Sequence, residues 1–187
     1  RSGQRCSALR ILCVQEDNAK TLVTMLKGAM QQLIMGNPFI LKTDIGPVID
    51  LEAKQTIDQH IRKMRSKGYP VHQLILNDDA TQQAEFNQGT FVAPTLIELP
   101  NLDDLEREVF GPVLHVITYK HGEVQQLLER INAKGYGLTM GLHTRIDETI
   151  NTVVQHAEVG NLYINRNIVG AVVGVQPFGG EGLSGTR

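Results

Sequence analysis

Residues 8–15 read Ala-Leu-Arg-Ile-Leu-Cys-Val-Gln, and an acidic pair at positions 16 and 17 follows them directly. The first run is rich in residues that favour β-structure and is typical of a mostly buried strand. From residue 16 to residue 35, apolar side chains recur with a period of about 3.6 until Gly36 and Pro38, which predicts one amphipathic helix. A strand that leads into a helix is the basic unit of an α/β fold.

The same alternation continues to the end of the chain. Helices are predicted at 50–66, where Asp50 is the expected N-cap, and at 101–107, 123–133 and 147–158. Strands are predicted at 71–76, 91–97, 113–118, 138–143 and 162–165. Residues 77–90 are polar and are expected to form an exposed loop. The pattern predicts an α/β fold, with an open, twisted, mostly parallel sheet flanked by helices.

Composition limits the class of protein. The chain has 187 residues, of which 41% are hydrophobic and 20% charged, so we expect one packed globular domain over residues 1–187. Its formal net charge of −2 gives no electrostatic footprint for nucleic acid or a membrane surface, and no run is apolar enough to span a membrane. We also expect a cytoplasmic protein, since no signal peptide is recognisable and two cysteines make no disulfide framework.

No metal site is predicted. The two cysteines do not have the spacing of a zinc site. His60 falls among charged residues of a predicted helix, where a solvated surface histidine is the simpler interpretation.

Cys6 is the candidate nucleophile. A thiol reacts as its thiolate, and Arg5, Arg10 and the amides of a glycine-containing turn offer a cationic, amide-rich setting. The alternative is that Cys6 is a small core residue, because free cysteine is among the most buried residue types. The sequence around it leaves both interpretations open, whereas Cys13, within an apolar run, is expected to be core.

Three stretches, in order, resemble motifs of the aldehyde dehydrogenase superfamily. Residues 3–8, Gly-Gln-Arg-Cys-Ser-Ala, resemble its catalytic-cysteine motif. Residues 108–113, Glu-Val-Phe-Gly-Pro-Val, resemble its cofactor-side motif. Residues 161–165, followed by Pro-Phe-Gly-Gly at 177–180, resemble its substrate-side ending. The resemblance covers essentially the whole chain and implies the fold of the family's cysteine-bearing catalytic domain.

Within the superfamily, the chain is most similar to the L-glutamate γ-semialdehyde (Δ1-pyrroline-5-carboxylate) dehydrogenases, and among them to the bacterial proline utilisation A group. Residues 5–10 and the glycine-rich ending at 170–186 carry this likeness. It implies NAD-dependent oxidation of L-glutamate γ-semialdehyde to L-glutamate in proline catabolism. The glycine density after residue 169 itself predicts a loop that approaches a ligand closely, or else a flexible linker.

The resemblance also implies roles for the substrate-side residues. Cys6 is the nucleophile, while Ser7 and the backbone amides of Gly170 and Ala171 anchor the carboxylate of the aldehyde. Phe178 flanks the aliphatic part of the substrate. Backbone amides suit this task, because a cluster of N–H groups binds an anion without an arginine.

Glu108 and Phe110 are the implied cofactor-binding residues. By themselves, an isolated glutamate and a phenylalanine near a turn are more simply a surface charge and a packing residue. The resemblance instead implies that Glu108 accepts hydrogen bonds from the nicotinamide-ribose hydroxyls and that Phe110 packs beside the same end of NAD. A carboxylate is a suitable acceptor for two hydroxyl donors.

In the family, the base glutamate, an oxyanion-hole asparagine and the NAD-binding domain all precede the cysteine motif. We therefore expect an excised catalytic domain that is inactive alone, with NAD bound mainly by a domain absent from this chain and with a homo-oligomeric parent protein. Two alternatives stay open. One is another aldehyde dehydrogenase branch acting on a different semialdehyde or a neutral aldehyde, and the other is a non-catalytic assembly domain with an inert cysteine.

Overall fold

A computed structural model describes residues 2–76, 84, 86–172 and 174–185, and all structural statements refer to these ranges. The chain divides into two compact units. Unit 1 contains Arg1–Arg5 and Arg10–Thr118, and unit 2 contains Cys6–Leu9 and Tyr119–Arg187. The two units are described separately. Within the described ranges, no helix combines the length and the apolar character that a membrane span requires.

The secondary structure of unit 1 begins with the strand and helix predicted at its start. Its elements are β1 (Ile11–Gln15), α1 (Glu16–Met30), α2 (Leu51–Ser66), β2 (Val71–Gln73), β3 (Thr95–Leu99), a 3₁₀ helix (Leu102–Asp104) and β4 (Val113–Tyr119). The carboxylate of Asp50 accepts a hydrogen bond from Ala53 N at 2.8 Å, which confirms the predicted N-cap of α2.

One four-stranded sheet organises unit 1, with the strand order β1-β4-β3-β2. Strands β3 and β4 are parallel, with Thr95 opposite Val113 and Leu99 opposite Ile117. Strand β2 pairs with β3 in the antiparallel sense and forms an edge. Four of the five side chains of β3 are buried, as expected for a central strand that is covered on both faces.

The core of unit 1 forms where α1 packs against the sheet. Val23 of α1 is buried together with Val14, Leu96 and Val116 of three different strands. Burying a side chain of this size contributes roughly 1.5–3 kcal/mol relative to leaving it exposed. Helix α2 contributes a second apolar stripe at helical spacing, formed by Ile57, Ile61 and Met64.

Unit 2 is built from two helices and two small sheets. Its elements are α3 (Val124–Ala133), β5 (Tyr136–Gly137), β6 (Thr139–Leu142), α4 (Asp147–His156), β7 (Asn161–Ile164) and β8 (Glu181–Gly182). Strands β6 and β7 are parallel, and β5 and β8 are antiparallel. Helices α3 and α4 contact each other, and each buries an apolar residue, Leu128 and Val153 respectively.

The predicted fold class is confirmed, because the chain is mixed α/β with mostly parallel pairing of its strands and flanking helices. Local predictions were wrong at four places. The helix predicted at 101–107 is only the 3₁₀ turn Leu102–Asp104, and the strand predicted at 91–97 begins at Thr95. Helix α1 ends at Met30 rather than near residue 35, because Ile34 pairs with a later loop: its N–H donates to the Asp44 carboxylate, and its carbonyl accepts from Asp44 N and Ile45 N. Most of the polar stretch 77–90 lies outside the described residues. Within it, however, residues 86–88 are helical, and Phe86 is buried against Phe91 instead of exposed.

The glycine-rich ending is also more ordered than a loop. Glu181 and Gly182 pair with Gly137 and Tyr136 as a short antiparallel sheet. The Ser184 hydroxyl accepts a hydrogen bond from Gly137 N at 3.0 Å. A flexible linker is therefore the wrong interpretation for residues 181–184.

Candidate functional site

Cys6 lies in a turn and is exposed, whereas its neighbour Ser7 is buried, with 7% of its surface exposed. Both belong to unit 2, together with the glycine-rich ending. About 110 residues of sequence separate the short segment Cys6–Leu9 from the rest of that unit, which starts at Tyr119. The Ser7 hydroxyl makes no hydrogen bond to any other described residue. The core interpretation of Cys6 is therefore wrong, and its thiol is accessible to a ligand.

Cys13 has the opposite character. It is partly buried, and burial raises the pKa of its thiol to about 11. At neutral pH it is therefore a protonated, unreactive thiol. This agrees with its predicted place in the core.

The residues that precede Cys6 are tied to the rest of unit 1 by hydrogen bonds. The Ser2 hydroxyl donates to the carbonyl of Gly46, and more weakly to Pro47 O at 3.2 Å. The Gln4 amide accepts from Ile49 N at 2.8 Å. Gly3 has a φ of +67°, and a Cβ at this position would lie 2.6 Å from Gly111 O. The turn that leads to the cysteine is thus packed against backbone on two sides.

Glu108 and Phe110, the predicted cofactor residues, are both partly exposed. The Glu108 side chain is 40% exposed, and its Oε1 lies 3.5 Å from Arg10 Nε. The Arg10 guanidinium carbon also lies 4.5 Å from the centre of the Phe110 ring, which is a cation–π arrangement. Arg10 therefore contacts one carboxylate oxygen of Glu108 and one face of the Phe110 ring. The rest of both side chains is partly exposed and can contact a ligand.

The sequence predicts that Arg10 provides positive charge near Cys6. In the structure, its partners include backbone carbonyls of residues 3 and 5. Its Nη1 donates to Gly3 O at 2.5 Å and its Nη2 to Arg5 O at 2.8 Å. A weaker contact joins Nη1 to Gly111 O at 3.4 Å. The interaction of Arg10 with Glu108 and Phe110 could not be found from sequence spacing, because about 100 residues separate them.

In the loop around Gly170, two backbone amides donate to no other residue in the described part of the chain. Gly170 has a φ of +90°, and Ala171 is half-buried. The flanking amides of Val169 and Val172 donate to the side chains of Asn167 and Gln176. Neither the Gly170 N–H nor the Ala171 N–H donates to another described residue. Phe178, on the same ending, is 51% exposed.

Asn161 fixes the base of this ending. Its side-chain amide donates to Gly179 O at 2.9 Å and to Leu138 O at 3.2 Å. A Cβ at Gly160 would collide with the same Gly179 carbonyl, so the chain approaches there as closely as only glycine permits. The motif residues 160–161 and 179–180 therefore stabilise each other.

His60 is not the solvated surface histidine that its charged neighbours predicted. Its Nε2 lies 2.8 Å from His115 Nε2, and the two rings meet edge to face. His115 is 1% exposed, and burial and the nearby His60 lower its pKa to about 4. The pKa of His60 is lowered too, mainly by desolvation. Nothing in the local sequence of α2 reveals this partner on β4.

The structure groups the predicted site residues by unit. Cys6, Ser7, Gly170, Ala171 and Phe178 all belong to unit 2. Glu108 and Phe110 belong to unit 1, where they share the Arg10 guanidinium. Unit 2 thus contains the thiol, the hydroxyl and the two amides that the resemblance assigns to the substrate side, which are the groups that attack on an anionic carbonyl compound requires. Unit 1 offers a carboxylate beside an aromatic ring, which suits a sugar hydroxyl next to a planar ring.

Comparison with known proteins identifies relatives along the whole chain. The bifunctional protein PutA of Klebsiella aerogenes is 62% identical over 185 residues, which are 99% of this chain and 14% of PutA. A crystal structure of the Bradyrhizobium japonicum proline utilization A mutant D779W matches 100% of this chain and 18% of its own, with a TM-score of 0.89 and 47% identity. The 1-pyrroline-5-carboxylate dehydrogenase from Thermus with bound NAD matches 99% of this chain and 34% of its own, with a TM-score of 0.80 and 33% identity.

These relatives are much longer than the sequence they share with this protein. The chain spans about one seventh of the PutA protein and about one third of the Thermus dehydrogenase. The profile of the aldehyde dehydrogenase family matches residues 1–187. From this match over its full length, the chain belongs to the aldehyde dehydrogenase family.

Proposed function

We propose that this chain is the cysteine-bearing catalytic region of an NAD-dependent dehydrogenase that oxidises L-glutamate γ-semialdehyde to L-glutamate. The observation that carries the proposal is the membership of one compact unit. The exposed Cys6, the buried Ser7 and the amides of Gly170 and Ala171, which bond no other described residue, all belong to it. The 62% identity to a PutA protein and the 33% identity to a 1-pyrroline-5-carboxylate dehydrogenase support this substrate.

In the proposed reaction, the Cys6 thiolate attacks the aldehyde carbon and forms a tetrahedral thiohemiacetal. The Cys6 backbone N–H donates to the developing oxyanion, and a second donor is expected from outside these residues. Loss of the hydride leaves a thioester on Cys6, and water then releases glutamate and regenerates the thiol. The final hydrolysis thus returns the chain to its starting state.

The amides of Gly170 and Ala171 and the Ser7 hydroxyl orient the substrate in this proposal. They bind the carboxylate at the far end from the aldehyde, so a neutral aldehyde of similar length would lack this anchor. Leaving such donors unpaired costs binding energy, so this arrangement discriminates against uncharged substrates. The exposed Phe178 ring provides apolar surface for the methylene groups.

NAD is the cofactor of this proposal, and it supplies the hydride acceptor when bound. Glu108 and Phe110 fit one end of it: the carboxylate keeps acceptor capacity beyond its contact with Arg10, and the partly exposed ring is already oriented. Most of the cofactor site is proposed to lie in another part of the same parent protein. Isolated residues 1–187 are then expected to be inactive, and self-association of the parent and a cytoplasmic location stay predictions.

The test uses the full-length protein that contains this chain. Wild-type protein should reduce NAD with Δ1-pyrroline-5-carboxylate, whose open form is the semialdehyde, and much less with a neutral aldehyde of equal length. Cys6→Ala should abolish turnover, whereas Cys13→Ala is the matched control and should retain it. Iodoacetamide near neutral pH should label Cys6 faster than Cys13, since burial raises the pKa of Cys13 to about 11.

Other outcomes would change the assignment. Turnover of a different semialdehyde with equal efficiency would place the protein in another aldehyde dehydrogenase branch. Equal labelling of both cysteines, with no NAD reduction by any aldehyde, would favour a non-catalytic assembly role.

A further inference from the structure

Arg10 joins the two segments of unit 1 that the proposed reaction uses. On one side it holds Gly3 O and Arg5 O, the carbonyls of the turn that leads directly to Cys6. On the other side it contacts the Glu108 carboxylate at 3.5 Å and the Phe110 ring at 4.5 Å. A single guanidinium thus fixes a backbone turn and a pair of side chains that lie about 100 residues further along the chain.

The geometry uses properties that only arginine has. Its planar fork donates to the carbonyls of Gly3 and Arg5, and more weakly to Gly111 O. Its Nε lies at ion-pair distance, 3.5 Å, from the Glu108 carboxylate, while the guanidinium lies over the Phe110 ring. A lysine ammonium is a point charge and does not reproduce both arrangements. The side chain of Arg10 is 13% exposed, so these interactions are shielded from water more than those of a surface ion pair.

The contacts also leave room for a ligand. Arg10 approaches only Oε1 of Glu108, and the Glu108 side chain is 40% exposed. A carboxylate has about four acceptor positions, so the second oxygen stays available to hydroxyl groups. Phe110 is likewise 41% exposed, although one face of its ring is covered. Arg10 therefore orients these groups without occupying them.

We propose that Arg10 is a positioning residue, which holds Glu108 and Phe110 in their cofactor-binding orientation and in fixed relation to the backbone turn before Cys6. This inference rests on the proposed function, because it takes Glu108 and Phe110 as contacts of NAD. Arg10 touches neither the cofactor nor the substrate in this role. It acts through the two side chains and the two carbonyls that it holds.

The test is a double-mutant cycle on NAD affinity, measured by calorimetry with the full-length protein. Arg10→Met should weaken NAD binding about tenfold, equal to ~1.4 kcal/mol, within the usual range of coupling between contacting residues. Arg10→Lys should reduce NAD affinity nearly as much as Arg10→Met does, because lysine restores the charge but not the planar fork or the stacking on Phe110. In a background that lacks both held side chains (Glu108→Ala with Phe110→Ala), the same Arg10→Met change should have less than about a twofold effect on NAD binding.

Lys27→Met is the matched control. Lys27 forms an ion pair with Glu98 at 2.7 Å in the same unit, and neither residue contacts Arg10, Glu108 or Phe110 in any interaction described above, so its loss should leave NAD affinity unchanged. A second measurement follows the rate of Cys6 alkylation. Arg10→Met should change that rate, since the turn before Cys6 loses two anchors, whereas Lys27→Met should not.

Two results would overturn the inference alone. In the first, wild-type protein binds NAD and loses affinity on Glu108→Ala, while Arg10→Met binds NAD like the wild type. In the second, the loss from Arg10→Met simply adds to the loss from Glu108→Ala with Phe110→Ala, which indicates a general structural role. A wild-type protein that binds no NAD would instead overturn the proposed function, and this inference with it.

Discussion

The Nε2 atoms of His60 and His115 lie 2.8 Å apart, so a hydrogen bond between the two rings joins α2 to β4. His115 Nδ1 lies 3.2 Å from Arg10 O, and a carbonyl only accepts, so this nitrogen donates and carries the proton. His115 Nε2 is then the acceptor, and His60 Nε2 is the donor. Both rings are neutral in this arrangement, and a second proton on His115 would face the proton of His60.

The pair predicts a loss of stability in mild acid. Burial, with a smaller contribution from His60, lowers the pKa of His115 in the folded protein to about 4, against about 6.5 when unfolded. The unfolded chain therefore binds the proton first as pH falls. Stability is complete above about pH 6.5, falls as the pH decreases to about 4, and then levels off, with a total loss of roughly 3 kcal/mol from His115.

Urea unfolding at a series of pH values measures this effect. His115→Gln removes the titrating ring, so its free energy of unfolding should depend less on pH between about 4 and 6.5 than that of the wild type. His143→Gln is the matched control, because it makes the same chemical change at an exposed position. Parallel profiles for His115→Gln and wild type would contradict the assignment.

The sequence predicted elements better than it predicted the partners of side chains. Strand β1 and helix α1 are visible in residues 8–35 because the period of apolar residues is a local property. The His60–His115 pair is not, since its members are 55 residues apart and neither position shows a pattern. The sequence likewise indicated the charge of Arg10 near Cys6, but the contacts of Arg10 with Glu108 and Phe110 depend on the tertiary fold.

The candidate site shows the same division. The resemblance of residues 3–8 and 170–180 to family motifs predicted which residues form the substrate side of the site. It gave no sign that Gly182 and Glu181 pair with Tyr136 and Gly137, because a two-residue strand rich in glycine has no detectable periodicity. Short pairings between distant segments are set by packing around them, and they become visible only in the structure.

Gly28→Ala should stabilise the protein. Gly28 lies on the exposed face of α1, and a Cβ there would meet no atom within 4 Å. Alanine in a helix interior is more favourable than glycine by roughly 0.5–1 kcal/mol, since it restricts the unfolded chain. Thermal unfolding should show a higher midpoint. Gly68→Ala is the contrasting variant, because Gly68 has a φ of +79° after α2 and its replacement should lower the midpoint.

Asn161→Asp should loosen the glycine-rich ending. The Asn161 amide donates to the carbonyls of Gly179 and Leu138, and a carboxylate cannot donate to either. Since Asn161 is 9% exposed, the lost bonds should cost on the order of 1–3 kcal/mol in unfolding free energy. Hydrogen exchange should increase near residues 179–182. The exposed Asn151 of α4 offers the same chemical change as a control, and an equal effect there would indicate a general charge effect.

Gly3→Ala should destabilise the protein more than Gly68→Ala or Gly122→Ala does. Gly3 has a φ of +67°, which costs a residue with a Cβ about 1–2 kcal/mol, and its Cβ would lie 2.6 Å from Gly111 O. The clash is with backbone, so relief requires the turn before Cys6 to move away from residues 111–112. Gly122→Ala separates the two effects, because Gly122 has a φ of +83° but no atom within 4 Å of its Cβ. We expect Gly3→Ala to lower the unfolding free energy by at least about 1 kcal/mol more than Gly122→Ala does, and it alone should slow alkylation or turnover at Cys6. Equal destabilisation by both variants would show that the contact with Gly111 does not constrain the turn.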